Sequence, residues 1–332
     1  MKILVVGGAG YIGSHMVKML LDEGHFVITL DNLSSGYRDA VLGGTFVRGD
    51  IGDKEKLDEV FTTYQPDAVM HFASCIQVGE SVARPDKYYL NNFSNTLNLL
   101  DAMVKHGVNY FLFSSTAAIF GEPEYLPINE AHPKTPLNPY GRSKWMIEQV
   151  LEDYEHAFGM KSVCLRYFNA AGADPSGLLG ERHEPETHLI PLVLQAVSGR
   201  RRQIAVYGRD YDTPDGTCIR DYIHVFDICT AHSLALNKLM ATDESCRYNL
   251  GNGSGFSVQQ VIDAAQRVTG RKVKVVEGQR RQGDPARLIA DATLAHQELG
   301  WQPVYSDLET IILHAWTWES FTYLTQSKER LA

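Results

Sequence analysis

The chain has 332 residues, 44% of them hydrophobic and 21% charged, with 31 Lys+Arg against 40 Asp+Glu and a formal net charge of −9. That length and apolar content suffice for two or three lobes with their own cores, and exclude a disordered chain or a disulfide-stapled mini-fold. The acidic surplus excludes general binding to nucleic acid, which needs many Lys and Arg contacts to phosphate, so any phosphate must be held locally. Cys75, Cys164, Cys218, Cys229 and Cys246 are widely spaced with no C-x-x-C pair and read as free thiols in a reducing compartment. Lys2 leads straight into Ile3-Leu4-Val5-Val6, too short for a signal peptide, and no membrane-length apolar run follows, so a cytoplasmic protein with no membrane partner is expected.

Short β-rich apolar runs alternate with helix-length amphipathic segments through the first half. The pattern predicts strands over 2–6, 26–31, 45–49, 68–73, 110–115 and 162–168, and helices over 12–23, 54–64, 89–106 and 139–158. Near-continuous hydrophobicity at 69–73 and 111–113 indicates strands covered on both faces, as in a parallel sheet between helix layers. The expected fold is α/β, a Rossmann-like doubly wound parallel sheet with a smaller C-terminal α/β lobe. After Asn169 the pattern loosens: 170–188 and 207–217 are rich in Gly, Pro and charge. An apolar helix over 224–239 and a strand over 247–250 then return to the main sheet, and late helices follow at 257–269 and 292–299. The expected division is a dinucleotide-binding domain over 1–168, joined by a return segment near 222–250, and a substrate lobe over 169–332.

Gly7-Gly8-Ala9-Gly10-Tyr11-Ile12-Gly13 follows the first strand and opens a helix. Glycines there permit unusual backbone angles, close approach of a pyrophosphate and tight helix–strand packing, while the helix N-terminus attracts the anion. Asp31 lies 18 residues past Gly13 at the end of the second strand, placed to accept hydrogen bonds from ribose hydroxyls and to repel a 2′-phosphate, which favours NAD over NADP. Asp50-Ile51 and Phe72-Ala73 fall at the carboxyl ends of the next two strands, where an open α/β sheet binds ligand.

Tyr140 and Lys144 are four residues apart on one predicted helical face. A tyrosine hydroxyl titrates near ~10 and needs a neighbouring positive charge to act as a base at neutral pH. Alone, such a pair occurs on many helices. Here the preceding strand ends in Ser115-Thr116, and a hydroxyl at a strand's carboxyl end before a Tyr-x-x-x-Lys helix, downstream of a dinucleotide turn, forms a constellation. Thr116 would polarise a substrate oxygen while Tyr140 moves its proton.

With these motifs in hand, the sequence resembles the extended short-chain dehydrogenase/reductase family and, within it, the bacterial UDP-glucose (UDP-galactose) 4-epimerases. The segments that carry the likeness are GGAGYIGSH at 7–15, LDNLSSG at 30–36, HFAS and VGES within 71–81, NPYGRSK at 138–144, LRYFNAAGADPSG at 165–177 and GTCIRDYIHVFD at 216–227. The resemblance implies tightly bound NAD, a UDP-sugar substrate, a 4-keto intermediate that turns over before hydride returns, and a homodimer built from the 89–106 and 139–158 helices. It adds Asn32, Ser34, Ser35, Gly36, Asn91, Ser114 and Tyr167 to the cofactor site. It places Phe168, Asn169, His188, Leu189, Ala205, Tyr207, Arg220, Arg281 and Asp284 at the UDP-sugar site. The two arginines suit a diphosphate, since guanidinium forks bind phosphate oxygens in pairs.

Four positions depart from the family pattern. Thr116 stands where serine is frequent, Ile76 replaces a lysine often found beside the cofactor pyrophosphate, and His188 replaces an asparagine. Leu288 occupies the position that sets room around the sugar 2-substituent; leucine is intermediate and leaves acceptance of N-acetyl sugars open. Related dehydratases need an acid/base pair just after the hydroxyl residue, and Ala117 and Ala118 stand there instead. A non-catalytic NAD sensor would have no use for Tyr140 and Lys144 together. The run from Glu181 to His188 contains metal-ligand types, but it lies in a loop without helical H-x-x-x-H spacing, so no metal is expected. Arg200-Arg201-Arg202 reads as a solvated charge run, and Trp316 and Trp318 as packing for the C-terminal lobe.

Overall fold

The computed structural model describes residues 1–281 and 284–325. Strands β1 (Lys2–Val6), β2 (Phe26–Asp31), β3 (Thr45–Arg48), β4 (Ala68–His71), β5 (Tyr110–Thr116) and β6 (Lys161–Tyr167) alternate with helices α1 (Tyr11–Asp22), α2 (Lys54–Tyr64), α3 (Val78–Ala83), α4 (Pro85–Tyr88), α5 (Asn95–Lys105) and α6 (Pro139–Phe158). Later come β7 (Asn169–Ala171), α7 (Leu189–Ser198), β8 (Ile204–Tyr207), β9 (Ile219–Arg220), β10 (Tyr222–His224), α8 (Val225–Thr242) and β11 (Cys246–Leu250). The described chain closes with β12 (Phe256–Ser257), α9 (Val258–Thr269), β13 (Val275–Gly278), β14 (Arg287–Leu288), α10 (Thr293–Leu299) and α11 (Leu308–Glu319).

Seven strands form one sheet in the order β11-β6-β5-β4-β1-β2-β3, every pair parallel. Helical crossovers cover both faces, so the central strands are apolar throughout. In β1, Ile3 and Val5 pack with Met16 of α1 and Leu236 of α8 on one side. Leu4 and Val6 pack with Phe61 of α2 and Leu99 of α5 on the other, the two-residue alternation of a strand placed between two layers. The order reverses between β1 and β4, which opens a crevice at the carboxyl ends of the strands. The expected return to the main sheet is made by β11, which pairs with β6 through Cys246↔Val163 to Leu250↔Tyr167.

Beyond β6 the chain builds small sheets, β12-β9-β14, β13-β8 and β10-β7, over a third core in which Ile190 and Leu194 of α7, Val261 and Ile262 of α9, and Ile311 and Ile312 of α11 meet. Helices α3, α4, α7 and α11 and the two- to four-residue strands are not among the expected elements. Pro191 falls in the first turn of α7, where a missing N–H costs no intrahelical bond. Two expected elements are shorter than expected. The strand over 68–73 ends at His71, since Phe72 and Ala73 turn over Gly7; the helix over 89–106 begins as a wide π turn, Tyr89–Ser94, before α5. Among the described residues no helix is long and apolar enough to cross a membrane.

Candidate active site

The glycine turn sits between the ends of β1 and β4. Gly7 has φ +79°, and a Cβ there would lie 2.4 Å from the Ala73 nitrogen. A Cβ on Gly13 would lie 2.2 Å from the Gly7 oxygen, so only glycine lets α1 start this close to the strand. Gly10 is the N-cap of α1 and supplies no capping side chain, which leaves the first amides, those of Tyr11 and Ile12 among them, aimed at an anion. Asp31 accepts from Ala9 N at 2.9 Å and from Leu33 N at 2.8 Å; burial raises its carboxyl, and these two amides oppose the rise. A carboxylate has about four acceptor positions, so ribose hydroxyls can still be received.

The loop after β2 wraps the turn. Tyr37 N donates to Ala9 O at 2.9 Å, and a Cβ on Gly36 would meet Ala9 at 2.8 Å. Asn32 Nδ2 donates to Asp50 at 2.6 Å, and Asp50 also receives Gly52 N at 2.7 Å, so this carboxylate ties the β2 and β3 loops together, beside buried Ile51. Ser35, Tyr37, Gly10 and Arg182 help to line a cavity of about 140 Å³ against the turn. Ser34 N caps back onto Asn32 Oδ1 at 2.8 Å. This cradle of glycines and free amides, with the Asp31 carboxylate beside it, fits a dinucleotide pyrophosphate.

Tyr140 and Lys144 project from the start of α6, whose N-cap, Asn138, accepts Gly141 N at 2.9 Å. The Lys144 side chain is buried; its ammonium donates to Ser114 O at 2.8 Å and lies 4.7 Å from the Phe113 ring centre. Burial pulls it down to about 7, with the charges of Cys75, Glu148 and Cys164 opposing. The Tyr140 phenol is raised by burial and lowered by a hydrogen bond from Thr116. The start of α6 is seated against the chain just past Thr116, since a Cβ on Gly141 would lie 2.4 Å from Ala118 O, and Lys144 reaches the strand backbone behind. Ser114 Oγ is hydrogen-bonded to the Tyr167 hydroxyl, and burial pushes that phenol above its ordinary range.

Asn92 was not singled out from sequence. It receives Cys75 N at 2.8 Å, donates to Cys75 O at 2.9 Å, and reaches Ser143 Oγ at 3.3 Å, while its neighbour Asn91 donates to Asn92 Oδ1 at 2.9 Å. The loop after β4 is thereby fixed to the turn of α6 that carries Tyr140.

In the second lobe, β14 lies beside β9 with Leu288 in register with Arg220. Arg220 is ion-paired to Asp284, and the Arg281 guanidinium stacks 4.2 Å over the Tyr207 ring, so the predicted arginines and aromatic surface belong to one patch. Ala205 pairs with Val276 in β8–β13. Asn169 N donates to Asp221 O at 3.0 Å. Phe168 and Leu288 pack on Ala117, Ile119 and Phe120 just past the Thr116 hydroxyl, which links the patch to the Tyr140 site. Asp221 is fully buried and accepts Asn252 N, Gly253 N and Ala290 N at 2.8, 3.0 and 3.1 Å. It anchors the strand pair that presents Arg220.

His188 is the N-cap residue of α7, directly before Leu189. Burial opposes its charge, but the carboxylates of Glu181 and Glu186 outweigh burial and raise it to about 10. Ligand atoms of Glu181, His183, Glu186 and His188 lie within 4.8 Å of one another, a grouping that linear spacing did not suggest. Ile76, in the loop after β4, puts no charge beside the turn; on the other side Arg182 pairs with Asp39 and stacks 3.5 Å over Tyr37.

Residues 3–251 match the NAD dependent epimerase/dehydratase family. The chain is 51% identical to the UDP-glucose 4-epimerase of Halalkalibacterium halodurans, over 99% of this chain and 100% of that protein. The crystal structure of UDP-glucose 4-epimerase from Brucella ovis in complex with NAD superposes with a TM-score of 0.93 at 50% identity, over 95% of this chain and 97% of that one. The Bifidobacterium longum enzyme in complex with NAD+ and UDP gives 0.92 at 38% identity, covering 98% and 99%. By fold, by the glycine turn and by likeness along nearly its whole length, the chain belongs to the NAD dependent epimerase/dehydratase family.

Proposed function

We propose that the chain interconverts UDP-galactose and UDP-glucose through a 4-keto sugar. The observation that carries this reading is the seating of the Tyr140–Lys144 turn of α6 against the end of β5, where Lys144 Nζ donates to Ser114 O at 2.8 Å and a Cβ on Gly141 would lie 2.4 Å from Ala118 O, with only Ala117 and Ala118 following Thr116. Bound NAD supplies reversible hydride transfer at C4′. Tyr140 takes the proton of the 4′-hydroxyl and gives it back to the 4′-oxygen once the keto sugar has turned about its diphosphate and presented its other face for the return of hydride. Thr116 donates to the 4′-oxygen and holds it against the phenol. The Lys144 ammonium favours the phenolate electrostatically and reaches the nicotinamide ribose. Arg220 and Arg281 hold the diphosphate, and Tyr207 faces the uracil with Ala205 along its edge, so the nucleotide stays fixed while the sugar rotates.

Methyl groups at 117 and 118 cannot shuttle a proton, which supports epimerisation over elimination of water. Leu288 and Phe168, both packed on the segment just past Thr116, support a pocket of intermediate width, so UDP-N-acetylglucosamine is the second substrate to test. We further infer that residues 1–168, with the 222–250 return, work as the NAD domain and 169–332 as the UDP-sugar lobe. A homodimer through the 89–106 and 139–158 helices is supported by exposed Leu90 and Phe158 on them, 61% and 55% accessible. Incubation with UDP-glucose, UDP-galactose and their N-acetyl forms, each resolved by chromatography, tests the proposal. Interconversion of the first two without net reduction of NAD is expected; a C6-deoxy keto product, or no turnover of any nucleotide sugar, overturns it.

A further inference from the structure

The geometry points to a binding site for a divalent transition-metal ion formed by Glu181, His183, Glu186 and His188, a cation that staples this segment beneath the glycine turn. The four ligand atoms lie within 4.8 Å of one another. Both carboxylates are 5% exposed, His183 16% and His188 38%. His188 Nδ1 lies 2.5 Å from Glu181 Oε1 and 3.4 Å from Glu186 Oε1, and His183 Nδ1 lies 3.1 Å from Glu181 Oε1 and 3.7 Å from Glu186 Oε2. A tetrahedral ion with bonds of about 2.0–2.1 Å needs ligands about 3.4 Å apart, a spacing these pairs bracket.

The donor chemistry selects the ion. Two imidazole nitrogens with two carboxylate oxygens suit Zn²⁺ or Co²⁺, whereas Ca²⁺ and Mg²⁺ take all-oxygen sites. A divalent ion would displace the protons that the carboxylates hold on the imidazoles, and its charge then matches two carboxylates with two neutral imidazoles. The outer contacts are already built, as metal ligands require. Glu186 Oε1 accepts Thr187 N and His188 N at 2.7 and 2.8 Å, which turns Oε2 toward His183. Trp318 Nε1 donates to Glu181 O at 3.3 Å and Gln77 Nε2 to Pro185 O at 3.4 Å. Gly180 makes room for that cover, since a Cβ there would lie 2.1 Å from the Trp318 ring. The Tyr11 ring meets His183 edge-on at 6.4 Å, so a cation here would tie the segment to the first turn of α1.

The test uses the NAD-loaded full chain, stripped of metal by a chelator, desalted and titrated with Co²⁺. Visible d–d bands of a low-symmetry site should saturate at one Co²⁺ per chain, bleach on adding Zn²⁺, and accompany a rise in melting temperature. His183→Gln and Glu181→Gln should each weaken Co²⁺ binding by more than about 100-fold, the upper range for losing even an outer-shell partner, whereas Arg182→Ala should keep it. Absence of bands from the unaltered chain at saturating Co²⁺ overturns the site without reference to any variant. Binding that survives both His183→Gln and Glu181→Gln overturns it as well.

Discussion

Glu148 and Arg166 meet between α6 and β6 with neither side chain reaching solvent: Arg166 Nη2 and Nε donate to Glu148 Oε2 at 2.5 and 3.2 Å, and Ser115 Oγ donates to Oε1 at 2.5 Å. Glu148 continues the helical stripe of Tyr140 and Lys144 by one more turn, so the pair clamps this face of α6 onto β6, and Ser115 ties the same carboxylate to β5, the strand that ends in Thr116. Removing one member of a buried pair leaves the other uncompensated, at a cost of about 3–5 kcal/mol. Glu148→Gln should therefore lower the urea midpoint by that equivalent and reduce kcat more than it raises KM. An unchanged midpoint would contradict the clamp.

Lys144 should reveal itself through pH. Its ammonium is held down from 10.5 to about 7 by burial. Below about 7 it is charged in both the folded and the unfolded chain, and the cost of burying it is fully present. Between about 7 and 10.5 only the unfolded chain keeps the proton, so stability rises with pH over that window. In Lys144→Met the gain in melting temperature over the unaltered chain should be greatest below pH 7 and shrink above it. The same variant should lose about 10²–10⁴ in neutral rate and move the acid limb of its pH profile upward, since burial alone raises the Tyr140 phenol. A stability difference that is flat with pH argues against the assignment.

Thr116→Val keeps the shape of the side chain and removes the hydroxyl, which also accepts Ala118 N at 3.1 Å, so its melting temperature is measured beside its kinetics. The loss of one hydrogen bond to a charged oxygen is worth about 1.5–3 kcal/mol, or about 10- to 100-fold in rate. Thr116→Val should show that loss in kcat, with Thr116→Ser close to the unaltered enzyme. Equal kinetics for the valine and serine variants would remove Thr116 from the reaction.

How much of this site could be read from the residues depends on how local each device is. The strand alternation, the glycine turn and the Tyr140–Lys144 spacing are short-range patterns, and they placed β1–β6, α1, α2 and α6 to within a few residues, while the short helices α3 and α4 were not foreseen. Asp221 works through amides at 252, 253 and 290, and nothing near it in the chain announces that. Asn92 acts across to Cys75 and Ser143, and Glu181 finds His188 only because an irregular loop folds back on itself. Such devices depend on long-range folding and carry no periodicity.

We propose that substrate width is set at Leu288, which like Phe168 packs on the cluster of Ala117, Ile119 and Phe120 just past Thr116. Leu288→Ala should raise kcat/KM for UDP-N-acetylglucosamine relative to UDP-glucose by about 10-fold or more, the scale of a few methyl groups in a pocket, and Leu288→Tyr should lower it. Competition assays with both sugars would measure the ratio. No change in either variant would place the sugar 2-substituent elsewhere.

The most direct measurement of the central claim follows the hydrogen at C4′. UDP-galactose deuterated at that carbon, incubated with the NAD-loaded enzyme in ordinary water, should yield UDP-glucose that keeps its deuterium at C4′, because hydride leaves and returns within one active site while Tyr140 exchanges only the hydroxyl proton. Loss of the label to solvent, or its appearance at another carbon of the sugar, would contradict a 4-keto epimerase.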